Sequence, residues 1–344
     1  MKRIKKKAGI RSSIKIIKTK ILKKRTKKRS KQNFPALNKT LLIGSAFALF
    51  ILITIATVIT TTSRQQKPTL ETPFNENYEL PLDVKQMLKK PTAAPFPITL
   101  NLLNPAPKPK PLDRSIRVPI LMYHYVEYVQ DQKDTLREAL NINPDVFEQQ
   151  VKTLSDSGYT FMTAKELGDV LDGKTKLPKN PVLLTFDDGH WDFATDVLPI
   201  LKKYHAKATA YIIPGFIGGS DFMSTDQLKE VINSQLVDVG AHTVDHISLK
   251  DKLYPIVKYE VDNSKTMLEN TYHIHVVSFA YPYGSFDLQA INTTNKAGFT
   301  TAVSTIPGIV QNQQNRFFLY RLRPGYRTGQ ELLSYLEQKV FLAY

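Results

Sequence analysis

The chain has 344 residues, 42% of them hydrophobic, no cysteine and a formal net charge of +16. The lack of cysteine excludes a disulfide framework and thiolate chemistry. The charge does not mark a nucleic-acid-binding domain, because residues 1–39 hold 17 Lys and Arg with no Asp or Glu, whereas the other 305 residues hold 30 basic and 31 acidic side chains.

The segment 40–62 carries no charge, and its centre, 41–59, is almost continuously apolar. That length matches the roughly 20 residues a helix needs to cross a bilayer. The basic residues lie on its N-terminal side, so the positive-inside rule predicts a cytoplasmic tail over 1–39 and a C-terminal part outside the membrane. No small-residue cleavage signal follows, which favours an uncleaved, single-pass anchor in the cell membrane. Residues 64–115 hold ten of the 21 prolines, with PAPKPKP at 105–111. This reads as a Pro-rich extracytoplasmic linker over 63–115, an extended spacer that carries a domain away from the bilayer.

From residue 116 onward, strand and helix patterns alternate. A strand is predicted over Val118–Tyr123 and a helix over Asp145–Ser157, ended by Gly158. Thr163 and Glu166 form a capping box for a short helix. Pro181–Phe186, PVLLTF, is an apolar, β-branched run of the kind that forms a central strand. A helix over Asp192–Tyr204 and a strand over Ala208–Ile213 come next. Ser224 and Gln227 cap a helix running through Leu236, and a strand follows over Val237–Ala241. The remaining elements are a long helix over Leu253–Tyr272, a strand over Val276–Tyr281, a helix over Asp287–Ala297, strands over Phe299–Ser304 and Phe318–Leu322, and a closing helix over Gly329–Val340. Repeated β-then-α units imply an α/β fold with a parallel sheet, closed or open. The 229 residues of 116–344 suit one barrel-like domain.

In such folds chemistry collects at the C-terminal ends of strands. The central strand ends in Asp187, Asp188 and Gly189. Consecutive side chains on extended backbone point in different directions, so one carboxylate can face a metal and its neighbour a water. The strand Val237–Ala241 runs into HTVDH, placing His242 and His246 on one helical face or in one tight loop. Neutral imidazoles and a carboxylate are a usual ligand set for a catalytic divalent ion. Asp188, His242 and His246 would leave positions open for water and substrate. A third strand end carries the turn Tyr281-Pro282-Tyr283-Gly284, and a fourth delivers His124. Trp191, Tyr211, Tyr281 and Tyr283 lie near these loops. Tyr281 and Trp191 are the candidates to stack on sugar rings, and Tyr211 reads as core. His190 borders the turn without being assigned as a ligand. His205, His273 and His275 read as structural or solvated.

TFDDG at 185–189, HTVDH at 242–246 and YPYG at 281–284 together resemble the motifs of the polysaccharide deacetylases, carbohydrate esterase family four. The resemblance covers 116–344 and no part of the tail or linker. It implies a distorted (β/α) barrel with parallel strands. It also implies a metal-dependent hydrolase that removes N-acetyl groups from an N-acetylglucosamine-containing surface or cell-wall polysaccharide. By the resemblance, Asp187 is the catalytic base, and Asp188, His242 and His246 hold one divalent metal ion, zinc first, with cobalt, nickel or iron compatible. The backbone amide of Tyr283 contributes to the oxyanion site. Two positions depart from the commonest pattern. Ala280 stands where many members have arginine, and no histidine follows Tyr281. The segment VPILMYHYV at 118–126 is similar to a circularly permuted branch that includes poly-N-acetylglucosamine deacetylases. In that branch an early strand ends in Tyr-His, which makes His124 the general acid. Arg321 is then the candidate to orient Asp187, with Arg323 second. The expected partners are an N-acetylated glycan and, through the N-terminal helix, the membrane. The competing readings are an O-acetyl esterase and a non-catalytic glycan-binding module.

Overall fold

In the computed structural model of the protein, residues 110–131 and 133–337 are described. The predicted tail, membrane helix and nearly all of the linker lie outside them, as do the last residues of the predicted closing helix. Among the described residues, no helix is long and apolar enough to cross a membrane.

Eight strands form one parallel sheet: β1 (Ile120–Tyr123), β2 (Thr160–Met162), β3 (Pro181–Phe186), β4 (Ala208–Ile212), β5 (Val237–Ala241), β6 (Ser278–Ala280), β7 (Thr301–Pro307) and β8 (Leu319–Arg321). Their spatial order is β8-β7-β6-β5-β4-β3-β1, with β2 also paired to β3. The two ends of that order meet. Met122 N donates to Leu322 O at 2.9 Å, and Leu322 N donates to Ile120 O at 2.8 Å. The sheet is therefore a nearly closed barrel of parallel strands, in line with the distorted (β/α) barrel that the motifs imply. The helices are α1 (Thr135–Leu140), α2 (Pro144–Asp156), α3 (Ala164–Leu171), α4 (Leu198–Tyr204), α5 (Thr225–Asn233), α6 (Tyr254–Tyr272), α7 (Leu288–Lys296) and α8 (Gly329–Glu337).

The period-2 alternation of strand side chains sorts the core in two. Val182, Leu184 and Phe186 of β3, Leu121 and Tyr123 of β1, and Ala208, Ala210 and Ile212 of β4 join the large cluster that also takes the apolar faces of α2 and α4–α8. Leu183, Ile120, Tyr211, Ala280, Val303 and Leu319 form a second cluster. These alternate with the first set and so share the inner face of the barrel. Gly240 has the inner parity of β5, and a Cβ there would run into the ring of Tyr211. Gly240→Ala is therefore expected to cost about 1–3 kcal/mol through overpacking, read as a lower denaturant midpoint at an unchanged slope.

Most predicted elements are present with ends moved by one to three residues. Two differ for a physical reason. The helix predicted from Asp192 begins as a π-helix over Phe193–Val197, with Leu198 N bonded back to Phe193 O, before α4 starts. Pro199 has no N–H to give, so the turn ahead of it cannot be held by regular spacing and widens. The helix capped by Ser224 stops at Asn233 rather than Leu236, where Gln235 adopts φ +58° and turns the chain into β5.

Candidate active site

The C-terminal ends of β1, β3, β5 and β6 converge with β8, and each supplies one part of a single buried cluster. Asp187 continues the inner parity of Leu183 and Thr185, so its carboxylate enters the barrel mouth. Leu319 points inward as well, so two residues later Arg321 does too. The guanidinium, fully buried, meets Asp187 in a two-pronged ion pair, Nη1 to Oδ1 and Nη2 to Oδ2, both 2.7 Å. It is aimed by Nε donating to Ser304 O at 2.7 Å and by Nη1 donating to Thr185 Oγ1 at 3.2 Å. Burial alone would raise the pKa of Asp187, but the Arg321 charge and hydrogen bonds bring it below the ordinary carboxylate value. Asp187 is thus held ionised. On the same carboxylate, Oδ2 lies 4.0 Å from His124 Nε2, which β1 delivers.

Asp188 has left the strand. Its φ of +74° turns the side chain away from that of Asp187. Thr243, His246 and Tyr283 also adopt positive φ, at +62°, +54° and +61°. Left-handed non-glycine residues cost on the order of 1–3 kcal/mol each, and such strain collects at functional sites. HTVDH is accordingly a tight loop and not a helical turn. It brings His242 Nε2 to 3.3 Å and His246 Nε2 to 3.2 Å from the same oxygen, Asp188 Oδ1. His242 Nδ1 sits 2.8 Å from Ala280 O. A carbonyl can only accept, so that contact places the proton on Nδ1 and leaves the Nε2 lone pair for a ligand. Ala280, at a position where many members of the resembled family have arginine, thus contributes through its backbone.

These three groups fit a divalent cation. One atom from each of Asp188, His242 and His246 lies within 4.8 Å of the other two, and all three residues are buried. Asp188 Oδ1, His242 Nε2 and His246 Nε2 have no hydrogen-bond partner. Buried polar atoms without partners are costly, and a shared cation resolves all three at once. Burial would raise the pKa of Asp188, but the imidazoles of His246, His190 and His242 beside it bring it well below the carboxylate range.

Tyr283 follows the end of β6, half-buried, its ring centroid 4.7 Å from that of His246. Trp191 is half-buried beside the Asp-Asp-Gly turn. Tyr281 is a correction. It is fully buried, its ring 5.2 Å from Phe279 and 4.9 Å from Phe286, and its hydroxyl contacts Thr294 Oγ1 at 3.4 Å. A ring packed between core aromatics has no face to offer a sugar. Arg323, the second choice for orienting Asp187, instead lines a cavity of about 240 Å³ beside His124, with Asn141 and Tyr326.

One residue of the site was not singled out from sequence, and another was named there without a role. Glu260 of α6 is buried and accepts from the backbone N–H groups of Val244 (2.8 Å) and Asp245 (3.1 Å), holding the histidine loop in place. Its signal was a carboxylate on the apolar face that Val257, Val261 and Leu268 define. The other is His190, whose Nε2 lies 3.3 Å from Asp188 Oδ2. Its place beside the turn was legible, but its other partners come from distant loops, so its contact with Asp188 was not.

Residues 174–302 match the family described as polysaccharide deacetylase. YxkH of Bacillus subtilis (strain 168), a protein named as a polysaccharide deacetylase, is 31% identical over 227 residues, spanning 65% of this chain and 78% of its own. The poly-beta-1,6-N-acetyl-D-glucosamine N-deacetylase of Staphylococcus aureus (strain MRSA252) is 30% identical over 196 residues, 53% of this chain and 67% of that protein. Among solved structures, the Streptococcus pyogenes deacetylase PplD in complex with acetate aligns with a TM-score of 0.60 at 30% identity, covering 65% of this chain and all of that one (100%).

Proposed function

The chain belongs to the polysaccharide deacetylase family, hydrolases of amide bonds, and from that premise we propose that it removes N-acetyl groups from an N-acetylglucosamine polymer at the cell surface, with zinc as its metal. One observation carries the reading. A ready cation site, Asp188 with His242 and His246, stands beside an ionised carboxylate and a histidine that can serve as base and acid.

Bound by Asp188, His242 and His246, a divalent ion would supply Lewis acidity to the acetyl carbonyl and lower the pKa of a nearby water. The chain's own residues do the rest. Asp187, kept ionised by Arg321, takes a proton as water adds to the carbonyl carbon. The Tyr283 amide N–H is the backbone donor for the negative oxygen that forms. His124 gives a proton to the nitrogen as the C–N bond breaks, so the products are acetate and a free amine. An amide nitrogen leaves poorly unless protonated. His124→Ala is therefore expected to slow turnover by about 10²-fold while the thermal midpoint of the chain shifts little.

The relative from Staphylococcus aureus supports the choice of glycan by its name. The uncharged run at 40–62 behind a basic tail supports a single-pass membrane anchor, with the tail cytoplasmic and the domain outside. The test is acetate release by the full-length protein, stripped with chelator and then given Zn²⁺, from a β-1,6-linked N-acetylglucosamine oligomer, a chitin oligomer and an O-acetylated glycan. Release from an N-acetylated oligomer only after Zn²⁺ is the expected result. Release from the O-acetylated glycan alone would replace the amidase reading with an esterase. Release from none would leave a binding module.

A further inference from the structure

We propose that Asp192 is a positioning residue for His124, holding the strand end that carries the acid against the turn that carries the base. The proposal rests on the reading of Asp187 as base and His124 as acid. Those two side chains come from different strands and stand 4.0 Å apart, Oδ2 to Nε2. Their backbones are joined on both sides of His124. One residue before it, Tyr123 O accepts from Asp187 N at 3.0 Å. Two residues after it, Val126 N donates to the Asp192 side chain at Oδ2. The short stretch 187–192 therefore supplies the base and also grips the acid's strand end at two points.

Asp192 is buried just ahead of the π-helix. Backbone bonds from Phe193 N to His190 O (3.2 Å) and from Ala194 N to Trp191 O (3.1 Å) close the turn around it. Burial pushes its pKa up to about 6, so a carboxylate stands here at a cost that filling space does not require. The hydrogen bond to Val126 gives that group a purpose. Beyond Tyr123 the chain leaves the barrel, and Tyr125–Val126 pairs with Asn141–Ile142 instead. Asn141 holds the far end of this segment, accepting from Glu127 N at 3.0 Å and donating to Glu127 O at 2.8 Å. Asn141 lies on neither the acid's strand nor the base's turn, so it steadies the segment without setting its distance from Asp187. Asp192 sets that distance. Its loss should displace His124 in part and not release it, because Asn141 and the Tyr123 contact remain.

The experiment compares turnover of two acetyl substrates by the full-length protein supplied with Zn²⁺. One is an N-acetylglucosamine oligomer, whose nitrogen must gain a proton to leave. The other is phenyl acetate, whose phenolate leaves without one. His124→Ala is the reference and is expected to lose about 10²-fold on the amide alone. Asp192→Leu fills the space but offers Val126 no acceptor. It is expected to slow the amide about tenfold, part of the loss that removing the acid causes, while the phenyl acetate rate is kept. Asp192→Asn retains an acceptor for Val126 and is expected to recover most of the amide rate. The ratio of the two rates does not depend on how much of a variant is folded. Should Asp192→Leu give no folded protein, Asp192→Ala takes its place with the same expectation. An unchanged ratio in that variant would overturn the proposal, and so would an Asp192→Asn no faster on the amide than Asp192→Leu. An unchanged ratio in His124→Ala would instead remove His124 as the acid, and this proposal with it.

Discussion

Arg321→Met is expected to destabilise the fold by about 3–5 kcal/mol, the scale for removing one partner of a buried ion pair. It is also expected to abolish acetate release. Methionine keeps much of the stem volume but leaves Asp187 buried without its guanidinium partner, and His124 Nε2 4.0 Å away. Burial then pushes the carboxyl towards its protonated form, and a protonated carboxyl cannot accept a proton from water. Equilibrium denaturation and acetate assays measure the two effects separately. Arg321→Met combined with Asp187→Asn should recover part of the stability and none of the activity, because the unpaired charge goes but the base does not return. The pH dependence has a definite sign. Asp187 has a folded pKa below its ordinary value, so the pair's contribution is complete above about pH 3.9 and is lost as pH falls through the lower, folded value. The parent protein should therefore resist acid further down the pH scale than Arg321→Met. Equal stability of parent and variant at neutral pH would show that the pair adds nothing.

Asp188→Asn is expected to cut acetate release by at least about 10³-fold, the size of effect that follows from losing several kcal/mol of Lewis-acid stabilisation. The side chain is nearly isosteric, and in the metal-free protein it sits among three imidazoles. Zn²⁺ affinity should therefore fall steeply, and the metal-free fold should lose the stability that the ionised carboxylate gives it. Asp187→Asn gives the opposite pattern, with metal affinity largely kept and turnover lost. The two neighbours are told apart by calorimetry with Zn²⁺ run beside a rate measurement. A full-strength metal site in Asp188→Asn would reassign the ligand.

The sequence made Asp187, Asp188, His242 and His246 visible because each follows an apolar strand, and strand ends gather in a parallel α/β fold. Arg321 was visible only through the resemblance, as the stand-in for the arginine absent at Ala280. Which strand it would lie beside was not, because β8 meets β1 across 200 residues of chain and no local pattern encodes that pairing. Tyr281 was misread although its parity was available. It repeats the direction of Phe279, which faces the helix-side core and not the mouth of the barrel. His190 was legible as a neighbour of the turn but not as a neighbour of Asp188 Oδ2, because the residues that seat it, Tyr125 and the 221–222 loop, belong to segments with no periodic signal. The π-turn before α4 was likewise hidden, although Pro199 marks where it had to occur.

The seam between Leu121 and Leu322 sets the order in which this protein can come into being. Synthesis runs from the N-terminus, so the strand bearing His124 emerges early and waits for a neighbour made some two hundred residues later. Until that neighbour arrives Asp187 has no counter-charge, and a half-made chain cannot hold the base in its working state. Completion of the ring and neutralisation of its interior are then one late event. A truncation that removes β8 should leave an open, sticky intermediate in place of a slow enzyme.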